Sequence, residues 1–393
     1  MQLTQSQIKN GWKVVKLGEI ATFNYGKSLP ERNRIAGDFP VYASAGKVGT
    51  HSSFLTKAPA IVVGRKGNVG ATYFVKENFY TIDTAYFIEE NKNYNLKYLY
   101  YQLGILHLKE LNTDSAVPGL NREVVYAQLI NLPPLATQEK IAGVLGAYDD
   151  LIENNDKRIK VLEAMAQKLY TEWFVNFKFP GYQKVKMVDS GHPDFGMIPE
   201  GWEVKSISEI GKVITGKTPS TANRNFFDGN ILFIKTPDIH GNIFIINSDQ
   251  TLSDLGVDSQ KTKTLPEKTV FVSCIGTLGS VAITSKPSQT NQQINAVILN
   301  NPQDYIFLYF FLTSSKKQLI NLGSNGATMG NVNKDKFEKI ELLVPSRKCL
   351  ADYNQSVIPY FDKILNLQKQ NQNLKKSRDF LIPQLVGGRV EIK

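Results

Sequence analysis

The sequence predicts an α+β protein in which two duplicated α/β domains are separated by two long helices packed as an antiparallel coiled coil. Two observations predict this fold: the chain repeats itself, and each copy of the repeat is followed by a long heptad pattern. The 393 residues are too many for one hydrophobic core, which agrees with two or three domains. With 42% hydrophobic and 21% charged residues, the composition is that of a globular protein.

The duplication appears as matched residues at nearly constant offsets. The first matches lie 190 residues apart and are Gly11/Gly201, Trp12/Trp202, Val14/Val204, Glu19/Glu209, Ile20/Ile210, Gly26/Gly216 and Lys27/Lys217. The next lie 209 residues apart and include Gly67/Gly276, Gly70/Gly279, Leu99/Leu308 and Tyr100/Tyr309. The change of offset places 19 extra residues in the second copy, between Lys217 and Val270. The two copies therefore share a frame and differ in a loop.

Local patterns divide each copy into elements and the chain into segments. Short apolar runs between turn residues predict strands at 41–42, 60–63, 231–234 and 268–272, and each copy opens with a tryptophan-led strand. Longer apolar patterns predict helices over 94–108 and 304–319. We predict a first α/β domain over 1–135, a long helix over 136–178, a turn-rich linker over 179–200, a second α/β domain over 201–346, a second long helix over 347–385 and a C-terminal tail over 386–393.

Both long helices carry seam residues that step alternately by three and four positions, the spacing of a coiled coil. In the first helix they are Leu145, Tyr148, Ile152, Asn155, Ile159, Leu162, Ala166 and Leu169, flanked by Ile141 and Trp173. In the second helix they are Val357, Tyr360, Ile364, Leu367, Asn371, Leu374, Arg378 and Leu381. Two sustained and matched seams favour helices that pack on each other.

One antiparallel register fits both seams, with residue numbers that add up to the same value at every layer. It pairs Leu145/Leu381, Tyr148/Arg378, Ile152/Leu374, Asn155/Asn371, Ile159/Leu367, Leu162/Ile364, Ala166/Tyr360 and Leu169/Val357. The two seam amides then face each other, so neither is buried against leucine. We also expect the ring of Tyr148 to lie against the guanidinium of Arg378.

The net charge and the cysteine content indicate which class of partner and which cellular compartment to expect. A formal net charge of +10 attracts polyanions, because each lysine or arginine that meets a phosphate releases a condensed counterion. With only Cys274 and Cys349, neither a disulfide framework nor a thiolate metal site is expected. The N-terminal residues lack a signal-peptide pattern and no apolar run is long enough to span a bilayer, so we expect a cytoplasmic protein.

One string matches a nucleotide-binding motif. Residues 211–218 match the P-loop pattern G-x-x-x-x-G-K-[ST], and a P-loop NTPase that uses Lys217 is the alternative function. A P-loop needs a helix that begins at the Lys-Thr pair, whereas Pro219 and a polar run follow Thr218 here. The missing strand–loop–helix context argues against nucleotide binding.

Other strings mimic catalytic signatures without their context. Pro193-Asp194 and Glu203-Val204-Lys205 resemble a metal-dependent nuclease motif, but Asp194 falls in the predicted linker. Asn131-Leu132-Pro133-Pro134 departs from the adenine-methyltransferase motif, and the four histidines lack metal-ligand spacing. We therefore predict no catalytic residue, no metal site and no cofactor in this chain. A coiled-coil adaptor that binds only protein is a further alternative.

Several strings, in their order along the chain, resemble the specificity subunit of type I restriction-modification systems. They are Leu132-Pro133-Pro134-Leu135 with Gln138-Glu139-Lys140-Ile141, Pro199-Glu200-Gly201-Trp202-Glu203-Val204, Thr215-Gly216-Lys217-Thr218-Pro219 and Leu381-Ile382-Pro383-Gln384-Leu385. The resemblance covers essentially the whole chain. Lys13-Val14-Val15 departs from the Glu-Val pattern that the second copy keeps.

The resemblance implies a function and a set of partners. Each α/β domain is expected to be a target-recognition domain for double-stranded DNA, and the long helices are expected to be the conserved regions. The implied partners are two modification subunits, which methylate adenine N6 with S-adenosylmethionine, and restriction subunits that use ATP and Mg²⁺. The seam from Ile141 to Trp173 would be about 50 Å long at ~1.5 Å per residue, against ~34 Å for one turn of B-DNA. We therefore expect a target of two half-sites that flank an unread spacer.

Candidate DNA contacts are arginine, lysine and amide side chains near glycine-rich turns, because these side chains match base edges and phosphates. In the first copy they are Lys27, Ser28, Arg32, Arg34, Arg65, Lys66, Asn68, Asn121 and Arg122. In the second copy they are Lys217, Thr218, Arg224, Asn225, Lys235, Gln292, Gln293, Asn325, Asn331 and Lys334. Sequence alone does not separate base contacts from phosphate contacts.

Overall fold

The computed structural model describes residues 3–111, 119–324 and 330–392 of the chain. It divides into two compact units, of which unit 1 comprises Met1–Glu153 with Asn373–Lys393 and unit 2 comprises Asn154–Gln372. Each unit therefore holds one copy of the repeat together with part of each long helix.

The first copy alternates short strands with short helices before its long helix. Its helices are α1 (Gln5–Lys9), α2 (Leu17–Ile20), α3 (Leu96–Gly104), α4 (Arg122–Tyr126) and the long α5 (Leu135–Tyr170). Its strands are β1 (Lys13–Lys16), β2 (Asn24–Tyr25), β3 (Phe39–Ala43), β4 (Gly46–His51), β5 (Ala60–Gly64), β6 (Thr72–Val75), β7 (Tyr80–Thr81), β8 (Ala85–Glu89) and β9 (Leu129–Leu132). The strands form a four-stranded sheet in the order β2-β8-β5-β6, a three-stranded sheet β4-β3-β7 and the pair β1-β9.

The second copy repeats this order with added elements. Its helices are α6 (Ile207–Ile210), α7 (Thr236–Ile239), α8 (Asp254–Asp258), α9 (Tyr305–Ser314), α10 (Lys316–Gly323), α11 (Lys334–Glu338) and the long α12 (Arg347–Val386). Its strands are β10 (Met187–Asp189), β11 (Met197–Pro199), β12 (Glu203–Ser206), β13 (Gly211–Thr215), β14 (Phe227–Ile234), β15 (Phe244–Ile245), β16 (Gln250–Leu252), β17 (Val270–Ser273), β18 (Val281–Thr284), β19 (Ser288–Thr290), β20 (Ile294–Leu299) and β21 (Glu341–Val344). Its sheets are β13-β20-β17-β18-β15, β16-β14-β19, β12-β21 and the hairpin β10-β11.

The duplication predicted from sequence is present in the sheet topology. The pair β1-β9 corresponds to β12-β21, β2-β8-β5-β6 corresponds to β13-β20-β17-β18, and β4-β3-β7 corresponds to β16-β14-β19. The glycine before the tryptophan of each copy has a positive φ, +77° at Gly11 and +83° at Gly201. A side chain at either position would be strained, which explains why the Gly-Trp pair occurs twice.

Segments of the long helices pack antiparallel within each unit. In unit 1, Ile141 and Leu145 of α5 share a hydrophobic cluster with Leu385 and Leu381 of α12. In unit 2, the hydroxyl of Tyr353 on α12 donates to the carbonyl of Ala166 on α5 at 3.4 Å. Every predicted seam residue of both helices is buried or half-buried. The coiled-coil architecture predicted from the heptads is therefore confirmed.

The predicted amide layer is present in unit 2. Asn155 Nδ2 donates a hydrogen bond to Asn371 Oδ1 at 2.9 Å, and Asn371 Nδ2 donates to Asp156 Oδ1 at 2.8 Å. Both asparagines are buried, with 2% and 4% of their surface exposed. This is the contact that the constant-sum register predicts. A shift of one heptad would separate the two amides and place Asn155 opposite Ile364 or Arg378.

The predicted contact between Arg378 and the ring of Tyr148 was wrong. Its Nη1 donates to Asp149 Oδ1 at 2.7 Å and its Nε and Nη2 to Asp379 Oδ1, while the described part of the chain shows no cation–π contact to Tyr148. Asp149 follows Tyr148 directly in α5. A carboxylate within reach is a stronger partner for a guanidinium than a phenol ring.

The segment over 179–200, predicted as a linker from its turn residues, contains folded structure. Strands β10 and β11 pair antiparallel with Val188 opposite Ile198. Ile198 is buried in the core of unit 2, and the ring of Phe179 lies 5.3 Å from that of Trp202. Apolar residues between the turns therefore bury themselves, although they are too few to show a periodicity.

Candidate nucleic-acid interface

Backbone hydrogen bonds join four distant segments of the first copy into one surface. The nitrogen of Lys27 donates to the Thr81 carbonyl at 3.0 Å, and that of Gly26 donates to Ala85 at 3.1 Å. The nitrogen of Arg65 donates to Thr84 at 2.9 Å, and Leu120 donates back to Arg65 at 2.8 Å. Residues 25–28, 64–70, 81–85 and 119–122 therefore form what we call the first loop cluster.

The second copy builds the same surface from equivalent segments. Lys217 donates to Thr290 at 2.9 Å and Gly216 to Ile294 at 3.1 Å. Cys274 donates to Gln293 at 2.7 Å, and Val332 donates back to Cys274 at 2.9 Å. Residues 215–218, 273–279, 290–294 and 331–334 form the second loop cluster. All four bonds repeat those of the first copy, so the backbone of the two clusters is duplicated.

Close backbone approach explains the repeated Gly-Lys pair. A Cβ added to Gly26 would lie 2.1 Å from the Ile82 carbonyl oxygen, and one added to Gly216 would lie 2.2 Å from that of Asn291. Only glycine fits at such a distance. The sequence string therefore serves the packing of two backbone segments in both domains.

This geometry gives no support to the P-loop alternative. Residues Gly211–Thr215 form strand β13, and no α-helix begins at Lys217 or Thr218. The Lys217 amide, which would have to face a phosphate, is bonded to the Thr290 carbonyl. In the nuclease-like string, Glu203 forms an ion pair with Lys205 at 2.6 Å. Among the residues that the structure describes, no group of three or more His, Cys, Asp or Glu side chains could hold a metal ion.

The side chains of the first loop cluster form a stack of cations on an aromatic ring. The Cζ atoms of Arg65 and Arg122 each lie 5.2 Å from the ring centroid of Tyr25, within the range of a cation–π contact. Arg65 also donates through Nε and Nη2 to the carbonyl of Asp83, at 3.1 and 2.8 Å. Lys27, Ser28, Lys66 and Asn68 are exposed around this stack.

The second loop cluster carries polar side chains that bond to one another. Thr218 Oγ1 donates to Gln292 Oε1 at 2.7 Å, and Thr236 Oγ1 donates to Gln293 Oε1 at 3.3 Å. At the position equivalent to Arg65 stands Cys274, and burial raises the pKa of its thiol to about 12. The thiol is therefore neutral at pH 7 and carries no charge to this surface.

Some sequence-predicted candidates lie elsewhere in their domains. Arg32 is exposed in a 3-10 turn, and Arg34 Nη1 donates to the carbonyl of Val48, next to the β3-β4 hairpin. Arg224 and Asn225 lie in another 3-10 turn. Lys235 lies beside the second cluster, because the carbonyl of the preceding residue, Ile234, accepts a hydrogen bond from Asn291. Asn325 lies outside the described residues.

Sequence reasoning missed Tyr25 at the centre of the first cluster. The ring of Tyr25 is 49% exposed and stacks edge-to-face on the buried Tyr86 at 5.0 Å. The only sequence signal is that Tyr25 directly precedes the Gly26-Lys27 turn. An exposed aromatic residue in a two-residue strand has the same local pattern as a core residue.

Comparisons with known proteins identify the family. Residues 9–164 and 199–376 match the model of the type I restriction modification DNA specificity domain. The chain is 33% identical over 328 residues to the HindI specificity subunit of Haemophilus influenzae, covering 70% of this chain and 71% of that protein. It is 28% identical over 305 residues to the MjaIX specificity subunit of Methanocaldococcus jannaschii, covering 76% and 69%.

A solved structure supports the same fold. The type I S subunit from M. genitalium superposes with a TM-score of 0.60 at 16% identity, over 100% of this chain and 99% of that chain. Within the described residues, every helix is too short or too polar to cross a bilayer. With matches to a family model over both copies of the repeat, the chain belongs to the DNA specificity subunits of type I restriction-modification systems.

Proposed function

We propose that this chain reads a bipartite DNA target, with one half-site read by each loop cluster and an unread spacer between them. The observation that carries the proposal is the duplicated backbone of the two clusters. Lys27 and Lys217 make the same bond to Thr81 and Thr290, at 3.0 and 2.9 Å. Two equivalent frames in one chain favour two equivalent docking surfaces on a duplex.

The side chains on these frames differ, which favours different half-sites. Tyr25 in the first cluster corresponds to Thr215 in the second, and Arg65 corresponds to Cys274. Fork-shaped donors and hydroxyl or amide groups select different base edges in the major groove. The half-site read by the first cluster should therefore differ in sequence from the half-site read by the second.

The charge of the chain supports binding to a polyanion. Lysine and arginine exceed aspartate and glutamate by ten residues, and Lys27, Lys66 and Lys217 are exposed in the loop clusters. Contacts to phosphate position a protein on DNA, while contacts to base edges give specificity. We assign the exposed lysines to the first role.

We further propose that the chain itself catalyses no reaction and docks two modification subunits and the restriction subunits. S-adenosylmethionine, ATP and Mg²⁺ would be used by those partners. This proposal is supported by the names of the relatives, which are specificity subunits of type I restriction enzymes.

Methylome sequencing of the host, with the chain present and deleted, tests the proposal. The expected result is an adenine-methylated motif of two short half-sites and a spacer, present only with the chain. The partner subunits must be expressed equally in both strains. A motif that survives the deletion, or a chain-dependent motif without a spacer, would overturn the proposal. The purified chain incubated with S-adenosylmethionine and DNA should leave the DNA unmethylated.

A further inference from the structure

The first loop cluster holds two arginine side chains on one exposed aromatic ring. Arg65 and Arg122 both approach the ring of Tyr25 to 5.2 Å, and Tyr25 itself leans on the buried Tyr86. Tyr86 is 1% exposed, and its hydroxyl donates to the Leu120 carbonyl at 2.9 Å. The ring is therefore fixed from below, and the guanidinium groups that contact it have lost much of their freedom before any ligand arrives.

The hydrogen bonds of Arg65 leave one edge of its guanidinium available. Its Nε and Nη2 donate to the Asp83 carbonyl. Among the described residues, its Nη1 makes no hydrogen bond. The Nη1 and the second Nη2 hydrogen form a planar, two-pronged donor. That geometry matches the O6 and N7 acceptors of guanine in the major groove.

The charge around the stack is mixed, so the direction of its donors decides what it binds. Glu123 Oε1 lies 3.7 Å from Arg122 Nε, while Lys27 and Lys66 are exposed in the same cluster and are available to phosphate. A phosphodiester is attracted by net positive charge, whereas a neutral base edge is recognised by the direction of its acceptors.

The second loop cluster has no equivalent stack. Thr215, Cys274 and Lys334 occupy the positions of Tyr25, Arg65 and Arg122. Thr215 Oγ1 instead donates to Asn295 Oδ1 at 2.7 Å. Whatever Tyr25, Arg65 and Arg122 recognise should therefore belong to the first half-site alone.

We propose that Tyr25, Arg65 and Arg122 form a guanine-reading site of the first domain, with Arg65 as the bidentate reader and Tyr25 as the positioning residue. This inference rests on the proposed function, because it assigns one base of the first half-site. Arg122 contacts the same ring, and its Cζ also lies 5.6 Å from the ring centroid of Tyr126.

Substitution of guanine by 7-deazaguanine in the target duplex tests the reader. The protein is the chain assembled with its modification subunits, and the duplex carries the motif found by methylome sequencing. At one guanine of the first half-site, loss of the N7 acceptor should weaken binding about tenfold or more. The Arg65→Gln variant should bind the unmodified duplex about tenfold to hundredfold more weakly and should not respond to 7-deazaguanine at that position.

Matched variants separate base reading from charge. Arg65→Lys keeps the charge but loses the two-pronged donor, so discrimination at that guanine should fall while the salt dependence stays the same. Tyr25→Phe should retain discrimination and Tyr25→Ala should lose it, because only the phenylalanine keeps the ring. Arg158→Gln removes the same kind of charge from the exposed surface of α5 and should leave the recognised sequence unchanged.

Two results would decide against the inference. If Arg65→Lys behaves like the wild type towards 7-deazaguanine, or if Arg65→Gln leaves the methylated motif unchanged, Arg65 contacts phosphate or solvent only. Thermal unfolding of each variant shows that it is folded. If no motif depends on the chain at all, the proposed function fails instead, and the wild-type methylome alone reveals that outcome.

Discussion

The buried amide layer in unit 2 gives a stability prediction that can be worked out from contacts. Replacing Asn155 by leucine removes the 2.9 Å bond that its Nδ2 donates to Asn371 Oδ1. Asn371 is 4% exposed, so water cannot easily replace the lost donor. Burying a polar group without its hydrogen bond costs about 1–3 kcal/mol. We therefore expect Asn155→Leu to lower the free energy of unfolding by about 2 kcal/mol.

The double variant Asn155→Leu/Asn371→Leu should behave differently. It turns the amide layer into an apolar layer, which is near neutral or stabilising when both partners are replaced together. The two substitutions should therefore be strongly non-additive. The cost would appear in specificity, because a uniform leucine seam no longer rejects slipped registers.

Thermal unfolding followed by circular dichroism at 222 nm measures the effect. For a loss of about 2 kcal/mol, Tm should fall by roughly 4–8 °C, at ~2–4 °C per kcal/mol for a unit of this size. Asn154→Leu is the matched control, since Asn154 is exposed one position earlier and should change Tm little. If Asn155→Leu is as stable as the wild type, or if the two substitutions add, the amide layer does not act as argued.

Three further predictions concern charge, the Gly-Lys turn and the cysteines. DNA affinity of the assembled enzyme should fall steeply with salt, with a log–log slope of about −0.9 for each neutralised phosphate, and a flat salt titration would contradict phosphate binding by the exposed lysines. Lys217→Ala should reduce that slope by about one phosphate contact. It should leave Tm unchanged, because the hydrogen bond of Lys217 to Thr290 is made by the backbone. Calorimetry should detect no ATP binding to either protein, and wild-type ATP binding that is lost in the variant would revive the P-loop alternative. Burial raises the pKa of both Cys274 and Cys349 to about 12, so the reactive thiolate is scarce in the native protein at pH 8. A thiol reagent should therefore label both cysteines slowly until denaturant is added. Rapid labelling of the native protein would refute their burial.

The helix seam could be predicted from sequence because its signal is periodic and local. The spacing of Leu145, Ile152 and Asn155 marks one face of a helix, and the same rule in the second helix fixes the pairing. The position of Asn371 opposite Asn155 then follows from polar satisfaction alone. The partner of Arg378 did not follow, since Asp149 lies beside the seam and not in it.

The composition of the loop clusters could not be predicted, because it depends on bonds between segments far apart in sequence. The Lys27 amide meets Thr81, and Leu120 meets Arg65. No pattern of residue types predicts these backbone hydrogen bonds. Arg65 and Arg122 were identified as candidates from their residue type, whereas their shared ring, Tyr25, was not. The sequence also does not predict that Arg32 and Arg34 lie outside the first cluster.

Swapping the first domain tests the central claim most directly, which is that each domain reads its own half-site. Residues 1–135 would be replaced by the equivalent residues of a related specificity subunit with a known and different motif. The methylome of a host expressing the chimera should show a new first half-site, with the second half-site unchanged. A motif in which both halves change, or neither changes, would contradict independent reading by two duplicated domains.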